Sequence, residues 1–207
     1  GDLFFKGVFI MNTRRFLKAC ALIAIFSAFM ISPFLSEAKT LKLKKETQSI
    51  QELIDAANDG DEIIVPAGTY LENISITEKN VFLRSENPTS PTVVQNTIID
   101  GGSNGSVITL NGVSDMTMIK GFTIRGGQNT TGSAIFGNGS SPVIENNFFT
   151  LNKTNSNTIE TGVIAECHGV IGKNTFKQNN CYPADGNING IIFNCNGSIR
   201  NNLIYMN

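Results

Sequence analysis

Lys120, Arg125, Glu145, Lys177 and Arg200 are the residues of this sequence whose type and spacing suit them to hold a charged ligand, with Lys173 beside them. Ammonium and guanidinium groups gathered on one face bind carboxylate or sulfate groups through charge-assisted hydrogen bonds, the contacts an anionic glycan offers. The plainer reading is that they are solvated positions on the outside of a repeat. Acid–base cleavage asks for more than cations. A glycosidase needs two carboxylates facing one bond, and no two acids share a position in the repeats that align. Glu145 and Glu166 stand apart, and Asp100 and Asp115 fall in turns of unfixed register. His168, the one histidine, lies in a turn and reads as a surface residue rather than a catalyst. Neither it nor Cys167, Cys181 and Cys195 follow zinc-ligand spacing, so no metal site is read from these residues.

A repeat must position these side chains. The run Ile144-Glu145-Asn146-Asn147-Phe148-Phe149, ending on Asn152, recurs as Ile171 to Phe176 with Asn179, and as Ile199 to Ile204 with Asn207. The copies start 27 and then 28 residues apart, and a weaker copy begins at Ile119. A fixed period of this size marks a stacked architecture. The apolar positions are short, alternating and broken by Asn and Gly, which is strand-and-turn chemistry. The expected fold is therefore all-β, a single-stranded β-solenoid whose coils stack about 4.8 Å apart. Asn suits a sharp left-handed corner, and stacked Asn147, Asn174 and Asn202 are expected to bond as a ladder. With Ile144 turned inward, Glu145 turns outward and shares a column with Lys120, Gly172 and Arg200. Round the corner, Thr150 shares a column with Arg125, Lys177 and Tyr205.

A third strand reads Val163 to Cys167 and, 28 residues on, Ile191 to Cys195. Taking Val163 and Ile191 as inward places Ile164 over Ile192 and Glu166 over Asn194 on the outside. Phe136 extends that aliphatic pair into an exposed patch. Cys167 and Cys195 then stack on the core side, either as buried thiols or as a disulfide. Cys181 follows Asn179-Asn180 in a loop and is expected to be the exposed cysteine.

Residues 1–10 precede Met11 and are set aside from the fold. Residues 11–38 read as a signal peptide: Arg14, Arg15 and Lys18, an apolar run from Ala19 to Phe34, and the small-residue stretch Ser36-Glu37-Ala38. The expected destination is export, to periplasm, cell surface or medium, with no membrane span after cleavage. Residues 39–207 then form one domain. A formal net charge of −1 gives no ground for nucleic-acid binding. Ser49-Ile50-Gln51-Glu52 is a capping box, and Ile50, Leu53, Ile54 and Ala57 form one apolar helical face that Gly60 closes. Such a helix is expected to cover the open end of the first coil, the alternative being a partner-binding helix. Strands are expected near Leu41–Lys45, Glu62–Val65, Asn73–Ile76, Val81–Arg84, Val107–Leu110 and Met116–Ile119. Pro66 to Thr69 reads as a turn, Ser85 to Thr92 as a loop, and Val93 to Ile99 as extended. Asn207 ends the sequence on a repeat position without a cap, so further coils are expected beyond it.

Asp59-Gly60-Asp61-Glu62-Ile63-Ile64-Val65-Pro66-Ala67-Gly68-Thr69-Tyr70-Leu71-Glu72-Asn73-Ile74 resembles the opening of many secreted right-handed parallel β-helix proteins of the pectate-lyase-like superfamily. Ile99-Asp100-Gly101-Gly102, Ile119 to Ile124 and Pro142 to Asn147 are similar to its coil repeats. The resemblance spans about Ile50 to Asn207 and implies a right-handed parallel β-helix. It implies binding or processing of extracellular polysaccharide by a lyase, hydrolase or epimerase-like scaffold, without locating an active site. Members that cleave acidic sugars use outward carboxylates, often with calcium, and calcium enters on the resemblance alone. The competing class is a non-catalytic surface or adhesive repeat protein, since one fold hosts many functions.

Overall fold

The structure, a computed structural model, describes residues 37–154, 161–181 and 190–207. Short β-branched runs separated by Asn and Gly make short strands, and each of the five complete coils gives one strand to each of three sheets. The first sheet has seven strands: Thr40–Lys42, Glu62–Val65, Phe82–Ser85, Met118–Lys120, Val143–Glu145, Val170–Gly172 and Ser198–Arg200. The second has six, from Gly68–Leu71 to Leu203–Tyr205, and the third has five, from Ile74–Thr77 to Ile192–Phe193. All pairings within these sheets are parallel. This is the expected all-β parallel β-helix.

Parallel stacking places like residues over like. Ile63, Leu83, Ile119, Ile144, Ile171 and Ile199 form one inward column. Tyr70, Ile99, Ile124, Phe149, Phe176 and Ile204 form the second. The Phe149 and Phe176 rings stack with centroids 4.7 Å apart and an interplanar angle of 9°. Each such buried side chain contributes about 1.5–3 kcal/mol. The columns are buried until the last coil, where Ile199 and Ile204 are each 48 % exposed.

Two asparagine ladders run along the corners. Asn147 Nδ2 donates to Asn174 Oδ1 at 3.2 Å, and Asn174 Nδ2 donates to Asn202 Oδ1 at 3.1 Å. Asn152, Asn179 and Asn207 repeat the pattern at 3.0 and 2.8 Å. Each ladder oxygen also accepts a backbone N–H from the coil before, down to Phe122 and Gly127, where the ladders begin. The left-handed backbone does not fall on these asparagines. It falls on the residue before each: Asn146, Lys173 and Asn201 in one corner, Leu151, Gln178 and Met206 in the other. The side-chain amide thus satisfies backbone that a left-handed neighbour has turned.

The first helix, α1, spans Ile50–Ala56 with the full capping box at Ser49 and Glu52. It ends before Gly60, because Ala57 is already extended. Glu72 accepts the Ile50 and Gln51 N–H groups, and Lys79 Nζ donates to the carbonyls of Ile54, Asp55 and Ala57. Both charges oppose the helix dipole. Ile50, Leu53, Ile54 and Ala57 are buried in the solenoid core, as a cap requires. A second helix, α2, covers Pro91–Asn96, where extended chain was expected from Val93. Ser90 caps it and Pro91 sits in its first turn, where a missing N–H costs nothing. Chain from Gly68 onward is strand where the sequence suggested a turn to Thr69.

The third sheet corrects two expectations. Ile164 pairs with Ile135 and Ile192 as predicted for the latter, but it is fully buried rather than outward. Phe136 aligns with Ala165 instead. The reason is a corner: the Val163 carbonyl accepts both the Ala134 and Ile135 N–H groups, and the Ile191 carbonyl both those of Val163 and Ile164. Alternation breaks there, so Val163 and Ile164 both face inward. Cys181 is buried, 8 % exposed, not the open cysteine of a loop. The residues of the expected leader up to 36 lie outside the described residues. Among the described residues no helix is long and apolar enough to cross a membrane.

Candidate binding groove

The outward cations fall into three separate settings. Glu145 lies level with Lys120 and Gly172, and Gly172 with Arg200. Lys120 Nζ is 3.2 Å from Glu145 Oε2, and an Arg200 guanidinium nitrogen is 3.6 Å from Oε1. Gly172 lies between the two, where a Cβ would make only ordinary contact, 3.4 Å from Glu145 Oε1 and 3.6 Å from Arg200 Cγ. This column is an ion-pair chain, its carboxylate largely covered. Arg125 is engaged separately, its Nε 2.7 Å from Asp100 Oδ2. Asp100 lies level with Arg125 in the second sheet, a register that the turn-like Asp100-Gly101-Gly102 concealed in the sequence.

Lys177 is different. Its Nζ lies 5.4 Å from the centroid of the Tyr205 ring one coil on, a cation–π contact. Neither Lys177 nor Lys173 has a carboxylate partner among the described residues. Both line a groove of about 420 Å³. Its floor is the corner between the first two sheets, with Asn146, Phe148, Lys173, Thr175, Lys177 and Tyr205. Its wall is the insertion carrying Pro88, Thr89, Pro91, Val94 and Gln95. The volume falls in the range of small-ligand sites, roughly 300–1,000 Å³.

The insertion is fixed to the solenoid locally. Gly121 has φ +81°, and a Cβ there would lie 2.4 Å from Pro88 Cα, so only glycine admits this approach. Thr123 Oγ1 donates to the Val94 carbonyl at 2.9 Å. Lys173 owes its position to the left-handed corner before Asn174. The sequence marks Lys173 and Lys177, but nothing in it joins them to Pro88 and α2, the nearest of which lies 173 − 96 = 77 positions away.

Of the five expected ligand-holding residues, then, only Lys177 lines the groove. Lys120, Glu145 and Arg200 meet one another, and Arg125 meets Asp100. At another corner, Asp115, Ser141, His168 and Ser198 border an open hollow of about 500 Å³. His168 Nδ1 accepts the Asn196 N–H of the next coil there, a long contact of 3.5 Å. Calcium wants six to eight oxygens, several of them from carboxylates. Glu145 and Asp100 are held by cations, and no group of three or more His, Cys, Asp or Glu converges among the described residues, so this donor set does not fit calcium. No protein-family model, curated protein or solved structure matched the chain.

Proposed function

We propose that this protein binds an extracellular polysaccharide in the groove between the insertion and the sheet corner, as a member of the exported, right-handed, pectate-lyase-like β-helix proteins it resembles. The observation that carries the reading is the pair of uncompensated lysines beside Phe148 and Tyr205. Aromatic faces stack on sugar rings, and ammonium groups take acidic substituents. Binding is favoured over cleavage because the nearby outward acids are engaged: Glu145 between Lys120 and Arg200, Asp100 with Arg125. A general acid or nucleophile held in an ion pair is poorly placed to serve two-carboxylate chemistry.

Affinity electrophoresis through gels containing polygalacturonate, alginate or a neutral glucan tests this. Retardation by an acidic polysaccharide, lost in K173A/K177A but kept in K120A, supports the groove. Equal retardation of wild type and the double variant overturns it. A rise in unsaturated-sugar absorbance with purified protein would overturn the preference for binding over lyase chemistry.

A further inference from the structure

Cys167 and Cys195 occupy the same position in successive coils, two residues after the paired Ala165 and Phe193. Both are free thiols. The Cys167 N–H donates to Cys195 Sγ at 3.3 Å, so the Cys195 sulfur leans back onto the coil that carries Cys167. The two differ in access: Cys167 is fully buried and Cys195 half-buried. Gly137 makes room one coil earlier, since a Cβ there would lie 2.5 Å from Cys167 Sγ. A half-buried cysteine lying against a fully buried one is the arrangement of an attacking and a resolving thiol.

We propose that Cys195 and Cys167 form a thiol–disulfide exchange site that takes a low-molecular-weight disulfide and closes a bond between two coils. Coil spacing of about 4.8 Å lies within the Cα separation of disulfides, roughly 4.4–6.8 Å. Cys195 gives its proton to water and its thiolate attacks one sulfur of the small disulfide. That S–S bond breaks and one thiolate leaves. Cys167 passes its proton to this leaving thiolate, attacks Cys195 Sγ and expels the second thiolate, which takes a proton from water. Two protein thiols are oxidised and one disulfide is reduced to two thiols. The neighbouring Cys167, through its thiol and then its N–H, holds Cys195 below the usual thiol range, against burial and the nearby Glu166. Cys167 is pushed well up, first by the adjacent Cys195 thiol and then by burial, and its own S–H donates to the Ala165 carbonyl at 3.6 Å. Burial pushes Cys181 up to about 11, which sets it apart from the exchange.

Reduced full-length protein is incubated with oxidised glutathione, quenched in acid, alkylated with N-ethylmaleimide and mapped as unreduced peptides. The expected result is a Cys167–Cys195 link about 2 Da lighter than the separate peptides, with Cys181 alkylated. Closing a 28-residue loop should raise Tm by roughly 10 °C. Cys167→Ala should stop at a glutathione adduct on Cys195, and Cys181→Ala should leave the link intact. If Cys167→Ala melts too low to test, Cys167→Ser replaces it. A lasting glutathione adduct on wild-type Cys195 overturns the proposal. So does a link through Cys181, or no reaction at Cys195 while the urea-unfolded chain reacts fully.

Discussion

Removing the middle rung of the first asparagine ladder should cost far more than removing its last rung. Asn174 Oδ1 accepts the Asn147 N–H at 3.0 Å and Asn147 Nδ2 at 3.2 Å. Its own Nδ2 donates to the Ile144 carbonyl at 2.9 Å and to Asn202 Oδ1 at 3.1 Å. Asn174 and Asn147 are 1 % and 2 % exposed, so water cannot replace the lost partners. Four hydrogen bonds at about 1 kcal/mol each give roughly 4 kcal/mol for Asn174→Ala, more if the stranded amide pays its full desolvation. Asn202 makes the same kind of bonds to Asn174 and to the Ile171 carbonyl, but it is half-buried in the last of the described coils. Water fills in there, so Asn202→Ala should cost about 1 kcal/mol. Asn174→Asp keeps the acceptor but aims oxygen at the Ile144 carbonyl and Asn202 Oδ1, and should cost at least as much as the alanine. Urea unfolding followed by circular dichroism reads all three. Equal losses for the two alanine variants, or under about 1 kcal/mol for Asn174→Ala, would refute the view that buried ladder bonds hold the corners.

Ile164→Ser should cost about 3 kcal/mol by thermal melting, and Ile192→Ser clearly less, because Ile164 is fully buried and Ile192 partly covered. Equal, small losses would restore the outward placement. Gly121→Ala should free the insertion from the solenoid, read as faster proteolysis between residues 86 and 96, since its Cβ meets Pro88. The carboxyl of Asp61 is held low by N–H groups of Lys39 and Asn58, and that of Glu62 by the Arg84 hydrogen bond. Depressed folded values stabilise fully above the ordinary carboxylate range of about 4 and are lost as pH falls through the lower folded values. Asp61→Asn should therefore flatten the acid limb of stability against pH, and an unchanged limb would contradict this.

The period of the sequence already determined the solenoid. Once coils stack in register, Ile144 over Ile171 over Ile199, or Lys120 beside Glu145, follows from arithmetic on residue numbers, because parallel neighbours sit one coil apart. The Asn147–Asn174–Asn202 ladder and the capping helix were legible for the same reason, since each depends on residues in one coil or at a fixed offset, whereas the second ladder, Asn152 to Asn207, emerged only in the structure. Alternation at Val163 and Ile164 was not legible, because two N–H groups converging on one carbonyl turn the chain without changing its composition. The depth of Cys181 was equally hidden in a run that reads as loop. The groove belongs wholly to tertiary structure. Pro91 to Asn96 carries no long apolar period, and its helix matters because Gly121, lacking a Cβ, lets Pro88 close against the coil. That contact sets a wall opposite Lys173, Lys177 and Tyr205, residues far along the chain that share a corner only because the coils between them stack.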